Sequence, residues 1–237
     1  MFDTKPAIPI AQLTLKEKEH LLDDIWAFRF TPSVPQQWIA GQYMSVELPH
    51  EHPDGKGTKR WFTISSIPAD GFMQITTRIT DSSFKQALAA LPAGGQLPLL
   101  DQPHGNFVWQ DTGRPMLFIA GGIGITSFRS ILRQRAHDRA SLDVHLMYGN
   151  RTDAIAFKEE FDGYAASDPN FRVDYVIGEP LTVSKLTELA PKLHDAMVYI
   201  SGPTIMATQL GKELESVGLP SEQLKQDFYP SYSTQNY

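Results

Sequence analysis

Apolar positions change their period near the middle of the chain. Through residues 1–112 they fall in short runs, at 9–16, 24–30, 42–48, 60–66, 72–79 and 96–100. These runs alternate or are rich in β-branched and aromatic residues, which predicts strands. Pro32-Ser-Val-Pro35, the stretch from Pro49 to Lys59 and Pro68-Ala-Asp-Gly71 punctuate them. One helix interrupts the series. Phe84, Ala87, Leu88 and Leu91 form its apolar face, Asp81, Ser82 or Ser83 caps its start, and Pro92-Ala-Gly-Gly95 stops it. Six short strands and one helix predict an antiparallel six-stranded β-barrel.

After Asp111-Thr-Gly-Arg-Pro115 the pattern alternates. Strand-length runs at 116–120, 142–148, 171–177, 196–200 and 224–229 separate helical stretches at 127–137, 154–166, 183–190 and 204–217. Such alternation predicts βαβ units and a parallel sheet. The expected organisation is therefore two domains, 1–112 and 113–237, the second an α/β domain.

Composition narrows the function classes. The chain has 237 residues, 41% of them hydrophobic, enough for two cores. A formal net charge of −6 argues against nucleic acid as the partner. The absence of cysteine excludes disulfides, thiolate catalysis and cysteine-ligated iron–sulfur clusters in these residues. No charged and apolar leader opens the sequence, and no apolar run approaches the ~20 residues of a membrane span. The expectation is a soluble cytoplasmic protein.

Chemistry concentrates in a few stretches. Leu117 to Leu132 reads as strand, glycine-rich turn and helix, with Gly121, Gly122 and Gly124 in the turn and Thr126 or Ser127 as N-cap. The turn lets backbone amides approach a pyrophosphate, and the helix N-terminus favours the anion. An ordinary α/β turn has the same look. On the strand Arg60-Trp61-Phe62-Thr63, Arg60 and Phe62 share a face and Thr63 sits beside them. A fixed cation, a flat ring and a hydroxyl suit a flavin dinucleotide; a plain strand with a core Phe is the alternative. Ser82 and Ser83 offer a second anion site at a helix start. His50 and His52 fit no metal-ligand spacing, so the loop His50-Glu-His-Pro-Asp-Gly-Lys-Gly57 reads as a solvated hairpin loop and no metal is expected.

In order, Gly41-Gln-Tyr43, Arg60-Trp-Phe-Thr63, Ser82–Lys85, Gly105–Phe107, Gly121-Gly-Ile-Gly-Ile-Thr126, Tyr148-Gly-Asn-Arg151, Ser201-Gly-Pro203 and Gln226-Asp-Phe-Tyr229 resemble the ferredoxin–NADP reductase-like flavoprotein superfamily. The resemblance spans nearly the whole chain. It implies an FAD-binding barrel and an NAD(P)-binding α/β domain. It further implies hydride transfer from NAD(P)H and electron delivery to a separate protein or small-molecule acceptor. A free-flavin reductase is the alternative enzyme and a flavin-binding module the alternative without turnover. Carried over by residue, Arg60 binds the FAD pyrophosphate and Phe62 stacks on the flavin beside Trp61, with Phe standing where the family has Tyr. Thr63 lies near N5, Thr76, Thr77 and Arg78 line the flavin edge, and Ser82 and Ser83 hold the pyrophosphate. Gly122, Gly124, Thr126, Gly202 and Pro203 hold the nicotinamide dinucleotide. Ser201 replaces the family's Cys, and Asp227 replaces a longer Glu, which puts a proton role for it in doubt. Arg151 and Arg172 are candidates for a 2′-phosphate, which favours NADPH over NADH. Phe228, Tyr229 or Tyr232 is expected to cover the flavin.

Overall fold

Six strands of the first half pair antiparallel in the order β4-β3-β6-β1-β2-β5. They are β1 (Ala11–Leu22), β2 (Ile25–Pro32), β3 (Tyr43–Glu47), β4 (Lys59–Thr63), β5 (Met73–Arg78) and β6 (Gln96–Leu99). This is a computed structural model, and it describes residues 8–227. The outer strands approach each other just past β4: Ser65 N–H donates to the Gln74 carbonyl at 2.9 Å, and the Ser65 and Thr76 hydroxyls lie 2.8 Å apart. That contact curls the sheet into a barrel. Helix α1 (Ser83–Ala90) seals the core with Phe84 and Leu88, both fully buried beside Leu13, Phe28, Phe30, Met44 and Ile75.

Strand β1 runs six residues past the predicted 9–16. Lys16 to His20 are too polar to read as a strand alone. They are held by pairing with β2, and Arg29 reaches Glu17 and Glu19 at 2.6 Å each. Cross-strand pairs replace the missing apolar face.

The second half is a parallel sheet in the order β11-β10-β7-β8-β9. Its strands are β7 (Met116–Gly121), β8 (Val144–Asn150), β9 (Phe171–Ile177), β10 (Met197–Ser201) and β11 (Leu224–Asp227). Every residue of β7 is buried, as expected for a central strand covered on both faces. Helices α2 (Ile125–His137), α3 (Lys158–Ser167), α4 (Val183–Leu189) and α5 (Thr204–Ser216) connect the strands. α3 begins four residues after the predicted 154. Phe157 sits just before it in the left-handed region at φ 62°, a break that periodicity cannot show.

The chain builds outward from β7 to β8 and β9, then returns to lay β10 on the other side of β7. The topological switch point is therefore between β7 and β10, the place where open α/β sheets bind ligands.

The chain divides into Met1–Val108 and Trp109–Tyr237. Trp109 belongs with the second unit, where the Arg135 guanidinium lies 4.2 Å over its ring and Phe118 packs edge-on. No helix among the described residues is long and apolar enough to cross a membrane.

Candidate active site

In the barrel unit, the side chains gather at the α1 N-terminus. Arg60 is 5% exposed, and its guanidinium lies 5.1 Å over the Phe84 ring. It donates to the carbonyls of Lys56, Gly57 and Lys59 at 2.7–2.9 Å and to the Asp54 carboxylate at 3.0 Å. Asp54 Oδ2 also accepts from the Ser82 hydroxyl at 3.2 Å and the Ser83 amide at 3.1 Å. His50 Nε2 lies 2.9 Å from the Ser83 hydroxyl. The loop read as solvated is thus tied down from both ends. Its His50 and Asp54 contacts are 28 to 33 residues away in sequence, so no local pattern announces them.

Burial would raise the Asp54 pKa. The Lys56 amide, the Arg60 charge and the Ser82 and Ser83 donors outweigh it and hold the carboxyl near 2. It is ionised at any physiological pH.

The donor set otherwise fits a diphosphate. Arg60, the two serines and the α1 amide all face one place, and Lys85 is buried close by. Burial lowers Lys85 to about 8, helped by the neighbouring cations Lys56, Arg60 and Arg78 against the opposing pull of Asp24. In the unfolded chain this amine titrates near 10.5, so between about 8 and 10.5 the unfolded state binds more protons. Stability then rises with pH across that window, and the burial cost is fully present below about 8. Lys85→Met is expected to be more stable than the parent at neutral pH, by on the order of 3 kcal/mol. The gap should close as pH approaches 10.5. Urea unfolding at both pH values checks this, and a constant gap contradicts it.

The structure places the other barrel residues unevenly. Phe62 is 6% exposed and lies in the core 5.8 Å from Phe84, so it presents little ring surface for stacking. Trp61, on the opposite face of β4, is the strand's exposed ring at 44%. Thr63 is buried at the end of the strand. Thr76 is buried against Ser65 and Gln74, Thr77 is buried, and Arg78 pairs with Asp24 at 2.5 Å.

In the α/β unit, the glycine turn joins β7 to α2 at the switch point. Neither Thr126 nor Ser127 is the N-cap. A 3-10 turn over Gly122–Gly124 leads directly into α2, and both side chains lie inside its first helical turn. The glycines have different reasons. A Cβ on Gly124 would meet the Ser201 carbonyl oxygen at 2.4 Å, because the β7 and β10 turns press together there. Gly122 has φ 51° and open space where its side chain would be. Gly122 is therefore the position that leaves room for a ligand, whereas Gly124 makes room for the chain itself.

Facing this turn, Asp227 Oδ2 accepts from the Ser127 hydroxyl at 2.7 Å and the Ser201 hydroxyl at 3.3 Å. Both serines are fully buried. In the sequence Ser127 reads only as a cap and as the residue in place of a third turn glycine, because its partner is a hundred residues away. Asp227→Ala is expected to remove both of these hydrogen bonds, costing ~1–3 kcal/mol of stability. It should also slow flavin reduction by NAD(P)H without loosening FAD. Wild-type reduction kinetics would remove Asp227 from the site.

Arg151 follows the carboxyl end of β8 and is exposed. Asn150, just before it, has a buried amide nitrogen without a partner among the described residues. Arg172 lies elsewhere. It pairs in register with His145 at the amino end of the sheet and bonds Asp174 at 2.8 Å. It cannot meet a ligand at the carboxyl edge, so the case for NADPH rests on Arg151. Phe228, Tyr229 and Tyr232 lie outside the described residues.

Comparison with known proteins matches residues 118–212 to the oxidoreductase NAD-binding domain family. NADH-cytochrome b5 reductase 1 of Pyricularia oryzae is 29% identical over 230 residues, covering 87% of this chain and 74% of that protein. The flavohemoprotein of Pseudomonas putida is 26% identical and covers 92% of this chain. Residues 118–212 thus match an oxidoreductase NAD-binding domain, and the chain over most of its length is similar to NADH-cytochrome b5 reductases and flavohemoproteins. This oxidoreductase spans only 58% of that flavohemoprotein. Its fold matches the flavohem-like FAD/NAD-binding domain of nitric oxide dioxygenase from Vibrio cholerae. That likeness has a TM-score of 0.81 at 18% identity and covers 94% of this chain and 99% of that one. The chain is an NAD(P)H-dependent flavoprotein reductase with FAD and NAD(P)H as cofactors, and the NAD-binding match falls in the second unit. Among the described residues no group of three or more His, Cys, Asp or Glu is arranged to hold a metal.

Proposed function

We propose that this reductase takes hydride from NAD(P)H and passes electrons to a separate acceptor, a ferredoxin- or flavodoxin-type protein or a small molecule. What supports the reading is that each unit carries its own diphosphate-suited place. One is the cation and serine cluster at the α1 N-terminus; the other is the glycine turn at the β7/β10 switch point. FAD, when bound, supplies the exchange between two-electron hydride transfer and single-electron delivery. Arg60, Ser82, Ser83 and Lys85 hold its diphosphate. Gly122 leaves the backbone open to the nicotinamide dinucleotide, and Arg151 is placed to test its ribose for a phosphate. Ser201 and Asp227 orient the nicotinamide end and keep water from it.

A second reading is favoured by Asp54, which already engages the α1 donors. In it, NAD(P)H and a proton convert a free flavin to its reduced form, and the flavin leaves as product. A relative of that description, the NAD(P)H-flavin reductase of Aliivibrio fischeri, is 29% identical over 161 residues.

Anaerobic titration of the protein plus FAD with NADH and with NADPH tests both. Bleaching of the visible flavin band is expected, with a lower KM for one nucleotide. Arg151→Ala should erase a preference for NADPH. Absence of bleaching with either nucleotide would end the proposal.

A further inference from the structure

A carboxylate of this chain already fills the anion position at the start of α1. An ordinary Asx turn would use only the bond from Lys56 N–H to Asp54 Oδ1, at 2.9 Å. Asp54 takes far more. It accepts from Arg60 at 3.0 and 3.3 Å, from the Ser82 hydroxyl at 3.2 Å and from the Ser83 amide at 3.1 Å. Its own N–H donates to the Ser83 hydroxyl at 2.8 Å. These are the donors a flavin diphosphate needs. A diphosphate and Asp54 cannot share them, because like charges would converge on one guanidinium.

The carboxylate is built to leave. Its side chain is 31% exposed, unlike that of Arg60 at 6%. Gly55 and Gly57 follow it with open space around both, and Gly57 adopts φ 67°. Gly55 lets the Asp54 side chain swing out while the Gly57 and Lys59 carbonyls and the Phe84 ring keep Arg60 in place.

We propose that Asp54 is an internal competitor for the diphosphate of FAD, so that this reductase holds FAD as an exchangeable ligand. The inference rests on the flavoprotein reading above. Displacing Asp54 subtracts from FAD affinity, whereas riboflavin, which has no phosphate, does not meet it.

Quenching of flavin fluorescence gives dissociation constants for FAD and riboflavin with the parent, Asp54→Asn and Asp54→Glu. Asp54→Asn keeps an acceptor for Lys56 but not the charge. It is expected to bind FAD about tenfold tighter, the loss of one modest competing charge. Its riboflavin affinity should stay unchanged, and Asp54→Glu should behave as the parent. In the unmutated protein, saturation with FAD should speed hydrogen exchange across residues 51–58. Unchanged or weaker FAD binding by Asp54→Asn overturns the competitor role. So does equal tightening for riboflavin, or unchanged exchange in the loop of FAD-saturated parent. If none of the three proteins binds FAD at all, the flavoprotein reading fails and the inference falls with it.

Discussion

Arg60→Ala is expected to weaken FAD binding by roughly 10- to 100-fold, the worth of one or two hydrogen bonds to a charged group, about 1.5–3 kcal/mol. The effect should exceed that of any single serine substitution at α1. Arg60 is nearly buried and fixed by three loop carbonyls and the Phe84 face, so it waits in position rather than being recruited. With Arg60 gone, Asp54 keeps its Ser82, Ser83 and Lys56 donors and remains as an uncompensated negative charge. Adding Asp54→Asn to Arg60→Ala should therefore recover part of the loss. Equal FAD dissociation constants for the parent and Arg60→Ala would remove Arg60 from the diphosphate site.

Gly124→Val should abolish reduction of bound FAD by NAD(P)H and destabilise the α/β unit. The reason is steric and internal. The added Cβ would stand 2.4 Å from the Ser201 carbonyl oxygen and 2.6 Å from Gly202 Cα, both backbone atoms that cannot rotate aside. Either the turn after β7 or the one after β10 must move, and with it Ser201 and Asp227. Overpacking of this kind costs ~1–3 kcal/mol or more. Gly122→Asn separates folding from binding. Asn tolerates the left-handed backbone, and nothing lies within 4 Å of its Cβ, so the fold should hold. Its side chain enters the open space, so the KM for NAD(P)H should rise. Stopped-flow reduction and thermal melting of both variants decide the matter. A Gly124→Val protein with parental melting and reduction rates would contradict the close approach of the two turns.

Chain periodicity determined the sequence of elements, because the periods are local. Alternation along 42–48 or 72–79 needs only neighbours to define a buried face. The helix over Phe84, Leu88 and their partners, and the apolar run of β7, are legible for the same reason. The glycines after β7 and the Ser-Gly-Pro that ends β10 marked the two turns, since turn chemistry is also local. The sequence did not separate Gly122 from Gly124. Both read as room for a phosphate, and only the pressing of one turn on another showed that Gly124 serves the packing.

The polar connections were decided by tertiary structure alone. Ser127 meets Asp227 across a hundred residues because the return of the chain lays β10 beside β7 and β11 beside β10. Arg172 looked equivalent to Arg151 as a cation. Strand direction put it at the amino edge of the sheet, while Arg151 stands at the carboxyl edge. Asp54 belonged to a polar, glycine-containing loop that composition describes as solvated. Its pairing with Arg60 and the α1 serines depends on folding a barrel that brings the β3–β4 loop over a helix start. A hydrogen bond of about 3 Å between distant residues leaves no trace in composition or spacing, because only the path of the chain sets that distance.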